Sequence, residues 1–314
     1  MTKITTLLGI KYPVIQGAMQ TVATANLAAA VSNGGGLGVI AAGGLSASEL
    51  RAQIRQAKQL TSHPFAVNLM LMATNTSELV QVIIAEQVPV VTTGAGTPKA
   101  YLPTLKAAGI KVIPVVPNVT IAKKMAALGV DAVIAEGMEG GGHIGELTSQ
   151  VLWPQIADAI DIPLIAAGGI ADGRGVVSAL ALGAAGVQCG TIFSIAQESP
   201  VGDRWRQAVI KATDTATVVV GRSIRDASRA LKNQQTEQLQ ALETQTTDRI
   251  VFNQALNQGL KLAVTTDDVT NGVIFSGQVA GLINEALPAA TIVQRLMADA
   301  QTVLQQLPTS LEAL

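Results

Sequence analysis

Eight short apolar runs recur along the first two-thirds of the chain, and this repetition restricts the fold more than any other feature. Glycine or proline bounds each run, and a segment of helical periodicity separates most neighbouring runs. Strands of a parallel sheet have this continuous apolar character because helices cover both faces of the sheet. The runs are residues 13–16, 37–40, 65–69, 88–92, 111–115, 132–136, 163–167 and 185–189. They predict an α/β fold, the (β/α)8 TIM barrel.

A doubly wound sheet is the alternative, but it needs fewer strands and usually a Gly-x-Gly-x-x-Gly turn after its first strand. The glycine-rich residues 34–38 precede a strand instead of following one. Gly94 and Gly96 do follow a strand, but Lys99 occupies the third glycine position. The sequence therefore argues against dinucleotide binding by a Rossmann unit.

The pattern changes after the eighth run. Residues from about 200 to 265 are polar and rich in Gln and Arg, and residues 270–314 return to helical periodicity. We predict that residues 1–200 and 266–314 form the barrel. Residues 201–265 then form a smaller, mostly helical domain on the side of the substrate or partner.

Composition and charge exclude several classes of function. Hydrophobic residues make up 48% of the chain, and a net charge of −1 gives no general attraction for nucleic acid. Cys189 is the single cysteine, so no intrachain disulfide can form, which fits a reducing compartment. Neither a signal peptide nor a membrane helix is indicated. We expect a cytoplasmic protein with no nucleic-acid or membrane partner; the oligomeric state is left open, with a homodimer among the states to test.

The stretch Glu136-Gly-Met-Glu-Gly-Gly-Gly-His143 follows the sixth predicted strand. Three consecutive glycines let the backbone lie flat against a ligand and offer its N–H groups. His143 comes next and is one of only two histidines. A neutral imidazole beside such a cradle can donate, accept or relay a proton. A glycine-rich loop with a surface histidine is the alternative interpretation.

Two further glycine-containing pairs follow the seventh and eighth predicted strands. TIM barrels carry their active sites at the carboxyl ends of the strands, and they hold phosphate on the loops after the last two. Gly168-Gly169 and Gly190-Thr191 occupy these two positions. Together they predict a ligand that bears a phosphate. No histidine pair or His-carboxylate spacing indicates a catalytic metal.

Several longer motifs resemble the flavin-dependent enoyl-acyl-carrier-protein reductase II family, which sits in a larger group with the nitronate monooxygenases. The resemblance spans essentially the whole chain. Its most specific parts are Val91-Thr-Thr-Gly-Ala-Gly96, Val112-Ile-Pro-Val-Val-Pro117, the Glu136 to Gly145 stretch, Ile165-Ala-Ala-Gly-Gly-Ile-Ala-Asp-Gly173 and Ala230-Leu-Lys-Asn-Gln234.

This resemblance implies an FMN-containing barrel that takes hydride from NADH or NADPH and passes it to an enoyl chain on acyl carrier protein. His143 matches the family's active-site histidine, near the substrate carbonyl. The residues implied to bind FMN are Gly168, Gly169, Gly190 and Thr191 at the phosphate, Gly17, Met19, Asn68 and Glu136 at the flavin ring or ribityl chain, and Gly141 and Gly142 alongside.

Some positions depart from the family's pattern. Glu139-Gly-Gly-Gly-His143 stands where the family usually has Glu-Ala-Gly-Gly-His, and Gly17-Ala-Met-Gln-Thr21 replaces Gly-Gly-Met-Ala-Trp. Two alternatives to the reductase stay open. One is a nitronate monooxygenase, with the same fold, FMN and histidine but oxygen as oxidant. The other is a non-catalytic binder of flavin or a phosphorylated ligand.

Positive charge is concentrated between residues 201 and 232. Arg222, Arg225, Arg229 and Lys232 follow helical spacing, which predicts that they share one helix face. A solvated helix face is the simpler interpretation. Beside an active-site mouth, however, a positive stripe would suit an acidic carrier protein.

Overall fold

A computed structural model describes residues 2–311, and their side chains as far as residue 307. Eight parallel strands form a ring in the order β1-β9-β8-β6-β5-β4-β3-β2. They are β1 (Val14–Gln16), β2 (Gly38–Ala41), β3 (Phe65–Met70), β4 (Val90–Gly94), β5 (Lys111–Val116), β6 (Val133–Glu136), β8 (Leu164–Ala167) and β9 (Gly186–Cys189), while β7 (Gly142–His143) lies outside the ring. A parallel bridge between Ile15 and Leu37 joins β1 to β2 and closes the barrel. The predicted (β/α)8 TIM barrel is thus confirmed.

One helix precedes the first strand, and the others follow strands of the ring and cover the barrel. These helices are α1 (Lys3–Leu8), α2 (Ala25–Asn33), α3 (Ala47–Leu60), α4 (Thr76–Ala85), α5 (Leu102–Ala107), α6 (Val119–Ala127), α7 (Ser149–Ala157), α8 (Gly173–Ala181) and the short α9 (Thr191–Ser194). Local sequence sets their ends. Ser46 and Glu49 form a capping box at the start of α3, and Asp172 accepts the N–H groups of Arg174 and Gly175 at the start of α8.

The barrel interior is a packed core. Side chains from the strands, among them Ile15, Val39 and Ile165, meet there with Ile4 and Leu8 of α1. All five are at most 4% exposed. Because no space for a ligand is left inside, the functional surface must lie on the loops at the ends of the strands.

A second cluster of apolar side chains lies outside the barrel, around Trp205, Phe252 and Leu256. It is built from α10 (Asp203–Ile210), β10 (Thr217–Val220), β11 (Ser228–Leu231), α11 (Gln234–Gln245) and α12 (Arg249–Thr266). Residues 273–283 also contribute to it, before α13 (Ala289–Leu311) packs on α2 and α8. The two strands of this cluster, β10 and β11, form an antiparallel sheet with β7 in the order β10-β11-β7.

The predicted helical stripe of basic residues is wrong. Arg222 and Arg225 lie in the turn between β10 and β11, and Arg229 lies in β11 itself. The run Thr217-Val-Val-Val220 favours a strand, and Gly221 (φ 76°) and Arg225 (φ 58°) take left-handed backbone conformations that no helix accepts. Arg229 is only 4% exposed, so these cations do not form one continuous face.

The predicted helical pattern of residues 270–314 is confirmed only for Ala289–Leu311, and residues 312–314 lie outside the described part of the chain. A single 3₁₀ turn, Gln278–Leu282, precedes this helix. Among residues 2–311, no helix combines the length and apolar character needed to cross a membrane.

Candidate active site at the carboxyl ends of the barrel strands

The first and third strands bring three of the predicted residues to the carboxyl end of the barrel. The N–H of Gly17 donates to the carbonyl of Cys189 (2.8 Å), which fixes the chain just after β1. Asn68 is buried near the end of β3 and donates to the Oγ1 atom of Thr92 (3.0 Å). Met19 is half-buried and packs against both the main core and the outer cluster. These three residues therefore line one side of the strand ends.

Residues 137–148, here called the glycine loop, leave β6 and pack tightly on neighbouring backbone. A Cβ atom at Gly141 would lie 2.7 Å from the backbone of Ser276, and one at Gly168 would lie 2.7 Å from the Gly137 carbonyl oxygen. Side chains are excluded at both positions, since real Cβ atoms do not approach so closely. Glycine is thus required at Gly141 and Gly168 because other backbone segments pack directly against them.

Glu139 ties the glycine loop to the next helix, a role that the sequence did not reveal. Its carboxylate accepts the N–H of Ser149 (2.9 and 3.1 Å to the two oxygens) and the Ser149 hydroxyl (2.9 Å). The same hydroxyl lies 3.0 Å from the Gly168 carbonyl, to which it can also donate. One glutamate therefore caps α7 and sets the distance between the loops after β6 and β8.

Glu136 lies at the very end of β6, where solvent reaches only part of the residue. Burial raises the pKa of its carboxyl to about 7. A Cβ atom at Gly140 would meet this carboxyl oxygen at 2.7 Å, so the side chain points toward the glycine loop. A carboxyl with such a pKa can donate as well as accept a hydrogen bond at neutral pH.

The predicted phosphate loops take distinct shapes. Gly168 (φ 90°) and Gly169 (φ 76°) both have left-handed backbone that favours glycine. At Gly190 a Cβ atom would meet nothing within 4 Å, so open space adjoins its backbone. Thr191 begins α9 and is only 7% exposed.

A segment that the sequence did not single out completes this end of the barrel. Residues 276–282, here called the return segment, donate from the Gly277 N–H to Thr191 Oγ1 (2.9 Å) and from the Gln278 N–H to the Glu139 carbonyl (2.9 Å). A cavity of about 420 Å³ opens between the return segment, α7 and α8, beside Gly168 and Gly169. The sequence signal that could have indicated this segment is the pair of glycines in Gly277-Gln-Val-Ala-Gly281.

His143 lies in β7 with its side chain 53% exposed. Gly142 and His143 pair with Arg229 and Ser228 of β11. The imidazole Nε2 atom is 3.6 Å from an Asp226 carboxylate oxygen, a neighbour that the sequence did not predict. The other histidine, His63, lies at the opposite end of the barrel, beside Gly9 and Lys11.

The chain belongs to the nitronate monooxygenase family, whose sequence model matches residues 1–80 and 72–299. Its structure superimposes on that of FabK from Thermotoga maritima with a TM-score of 0.95, at 41% identity over 99% of both chains. A probable nitronate monooxygenase of Staphylococcus aureus is 32% identical, over 96% of this chain and 98% of that one.

A third relative acts on a coenzyme A thioester, according to its name. The (3aS,4S,5R,7aS)-5-hydroxy-7a-methyl-1-oxo-octahydro-1H-indene-4-carboxyl-CoA dehydrogenase of Mycobacterium tuberculosis is 33% identical over 97% of both chains. The enzyme of that name from Rhodococcus jostii is 44% identical, over 64% of this chain and 57% of its own length. Together these comparisons make the protein an oxidoreductase of this family.

The residues at the strand ends fit the FMN that the sequence resemblance implies. The glycine loop offers bare backbone, and open space adjoins Gly190. Residues 2–311 contain no cluster of histidine, cysteine and acidic side chains that could hold a metal ion.

Proposed function

We propose that the protein is an FMN-dependent enoyl reductase that uses NADH or NADPH and acts on trans-2-enoyl chains carried as thioesters by acyl carrier protein. The observation that carries this proposal is the match to FabK, at 41% identity over 99% of both chains. The placement of His143 in the glycine loop, directly after the three consecutive glycines, agrees with it, since this loop carries one of the motifs on which the resemblance rests.

When bound, FMN supplies the redox chemistry, a hydride relayed from the nicotinamide to the β-carbon of the enoyl chain. The protein's own residues provide the rest. Negative charge develops on the thioester carbonyl oxygen during the addition, and the half-exposed imidazole of His143 can donate to it. Removing a single donor of this kind costs roughly 3 to 4 kcal/mol in other enzymes.

The loops position the cofactor for this step. Backbone N–H groups of Gly168, Gly169, Gly190 and Thr191 would hold the phosphate, helped by the N-terminus of α9. Gly17, Met19, Asn68 and Glu136 would lie along the ring and ribityl chain, and Gly141 and Gly142 beside them. The packed barrel interior excludes water on the side of the site that faces the strands.

A second candidate is nitronate oxidation with oxygen, which the family match and the Staphylococcus aureus relative favour. His143 would then act as the base that removes the α-proton of a nitroalkane substrate. The same residues serve both reactions, which differ in whether a nicotinamide reduces the flavin.

Anaerobic stopped-flow absorbance on the purified protein tests the proposal. We expect NADH or NADPH to bleach the flavin rapidly, and a crotonyl thioester of acyl carrier protein to restore its colour. A crotonyl thioester of coenzyme A in a parallel experiment tests the alternative carrier. A flavin that nicotinamides do not reduce, combined with oxygen uptake on addition of an alkyl nitronate, would replace this proposal with the second candidate.

A further inference from the structure

Asp226 lies directly against His143 although it belongs to a different unit of the fold. His143 is carried by the glycine loop of the barrel, whereas Asp226 ends the turn between β10 and β11. The carboxylate is 9% exposed and the imidazole 53% exposed, with Nε2 3.6 Å from Oδ1. A buried carboxylate that faces a half-exposed imidazole suggests a function for the pair.

Two side chains contact the Asp226 carboxylate, and a backbone hydrogen bond holds the residue itself. The Nδ2 atom of Asn253 donates to Oδ2 (2.5 Å), and the guanidinium of Arg249 lies 3.3 Å from Oδ1. The backbone N–H of Asp226 donates to the Gly221 carbonyl (2.9 Å). Because a buried carboxylate with these partners cannot swing away, it presents a fixed oxygen to the imidazole.

The backbone on both sides sets the distance between the two residues. The N–H of Ile144 donates to the carbonyl of Ala227 (3.0 Å), and His143 is paired with Ser228. His143 is therefore itself part of the strand pairing, and Asp226 lies within two residues of it. The pairing of the strands thus fixes the backbone positions from which the two side chains face each other.

We propose that Asp226 is a positioning residue for His143. The Nε2 and Oδ1 atoms lie 3.6 Å apart in the structure, just beyond hydrogen-bond distance, and a small turn of the half-exposed ring brings Nε2–H onto the carboxylate. This contact fixes the orientation of the ring and leaves Nδ1 facing the reacting molecule, to which it donates when the ring carries both protons. Carboxylates orient imidazoles in this way in catalytic triads and in metal sites. The pairing itself does not depend on the substrate; only its kinetic consequence rests on the proposed enoyl reduction.

Nitrogen-15 NMR of the protein labelled at histidine tests the pairing without any turnover. The chain has two histidines, so the variant His63→Gln assigns both signals. We expect an Nε2-bound proton of His143 that exchanges slowly with water, and its loss in Asp226→Asn or Asp226→Ala. The matched control is Asp248→Asn, the same change at a carboxylate that caps α12 by accepting the Ile250 N–H (2.8 Å); it should keep the signal.

Single-turnover kinetics test the consequence. In Asp226→Asn, oxidation of the reduced flavin by saturating crotonyl thioester should slow roughly 10- to 100-fold, the cost of removing an orienting carboxylate elsewhere. FMN retention and reduction by the nicotinamide should stay as in the wild type. Adding Asp226→Asn to His143→Ala should cost nothing further, because the two residues act as one unit.

Two results would overturn the assignment: a His143 signal that is unchanged in both Asp226 variants, or a full additive loss in the double variant. The NMR result also separates this proposal from the proposed function. If the slowly exchanging proton depends on Asp226 but no enoyl thioester oxidises the flavin, then the contact between His143 and Asp226 is supported and the proposed reductase function is wrong. Should the Asp226 variants fail to fold, Asn253→Ala releases the carboxylate without removing it, and it should weaken the same signal.

Discussion

The Oγ1 atom of Thr191 accepts the backbone N–H of Gly277 at 2.9 Å, across 86 residues of chain. This bond joins the loop after the last barrel strand to the return segment. A Cβ atom at Gly277 would lie 3.3 Å from the same Oγ1 atom and 2.7 Å from the Glu139 carbonyl oxygen. The return segment therefore fixes the loop after β9 and the glycine loop together, while open space is left at Gly190.

Gly190→Ala should abolish FMN retention while leaving the fold intact. The added methyl group meets no protein atom within 4 Å, but it would occupy the space beside the predicted phosphate. The amount of flavin released during gel filtration measures FMN retention. Urea unfolding of the flavin-free protein measures the stability of the fold. Gly129→Ala is the converse control: it lies far from the site with φ 84° and should lose about 1 kcal/mol of stability but keep FMN. If the Gly190 variant still binds FMN tightly, the phosphate does not lie beside this loop.

His143→Ala should slow the oxidation of reduced flavin by crotonyl thioester roughly 100-fold, the cost of a lost oxyanion donor. FMN retention should change little, because the imidazole follows the three glycines of the glycine loop and does not lie at Gly168-Gly169 or Gly190-Thr191, the predicted phosphate positions. Stopped-flow absorbance measures the oxidation, with His63→Ala at the opposite end of the barrel as the control. Equal rates in both variants would contradict a catalytic role for His143.

Glu136→Gln should change how the stability of the flavin-free protein depends on pH. Since burial raises the pKa of Glu136 to about 7, the folded state binds its proton more tightly than the unfolded state does. This contribution to stability is fully present below about pH 4.5 and is lost as pH rises to about 7 and beyond. The glutamine variant should therefore be more stable than the wild type above pH 7, by up to about 3 kcal/mol, and equal to it near pH 4.5. Urea unfolding at several pH values checks this, and Glu78→Gln on the exposed face of α4 should show no such trend.

Arg229→Met should destabilise the fold by about 2 kcal/mol or more. The buried guanidinium donates from Nε and Nη2 to the Met138 carbonyl (3.2 and 3.0 Å) and from Nη1 to the Thr217 hydroxyl (3.1 Å). Burial lowers the pKa of this guanidinium, an effect opposed by the charge of Glu139. Arg225→Met, at an exposed position in the turn, should stay within about 0.5 kcal/mol of the wild type in urea unfolding.

Charge reversal at Arg222 and Arg225 tests the proposed carrier protein. Both are exposed in the turn that also carries Asp226, and so they lie near His143. We expect the double change to Glu to lower kcat/KM for acyl-carrier-protein substrates, and added salt to shrink the difference. Lys123→Glu with Lys124→Glu on α6 makes the same change in net charge elsewhere. Equal losses on short N-acetylcysteamine thioesters would show that the turn supports the site and does not dock a carrier.

The sequence predicted the barrel because its signal is local and repeated. Each strand is a short apolar run, and some of the helices begin at a side-chain cap, such as Ser46 of α3 and Asp172 of α8. The positions of Glu136 and of Gly168-Gly169 at strand ends followed from the same pattern. The division of the chain at residues 200 and 265 stays a prediction, as do the roles of the proposed FMN-binding residues.

The rest of the site depends on contacts between distant parts of the chain. Helical spacing placed Arg222, Arg225 and Arg229 on one face, but β-branched residues and two left-handed positions form a hairpin there instead. Nothing near Asp226 in sequence indicates that it faces His143, since their contact arises only when β11 pairs with β7. The contact of Gly277 with Thr191 likewise joins distant residues, and local periodicity does not predict it.

The antiparallel pairing of β7 with β11 also limits how this architecture can be diversified. In many TIM barrels a loop insertion can be exchanged without disturbing the catalytic end of the scaffold. Here the insertion supplies the strand on which the histidine-bearing backbone is aligned, so the two cannot vary independently. A chimera that imports the hairpin from a relative should be active only if it brings the matching glycine loop with it.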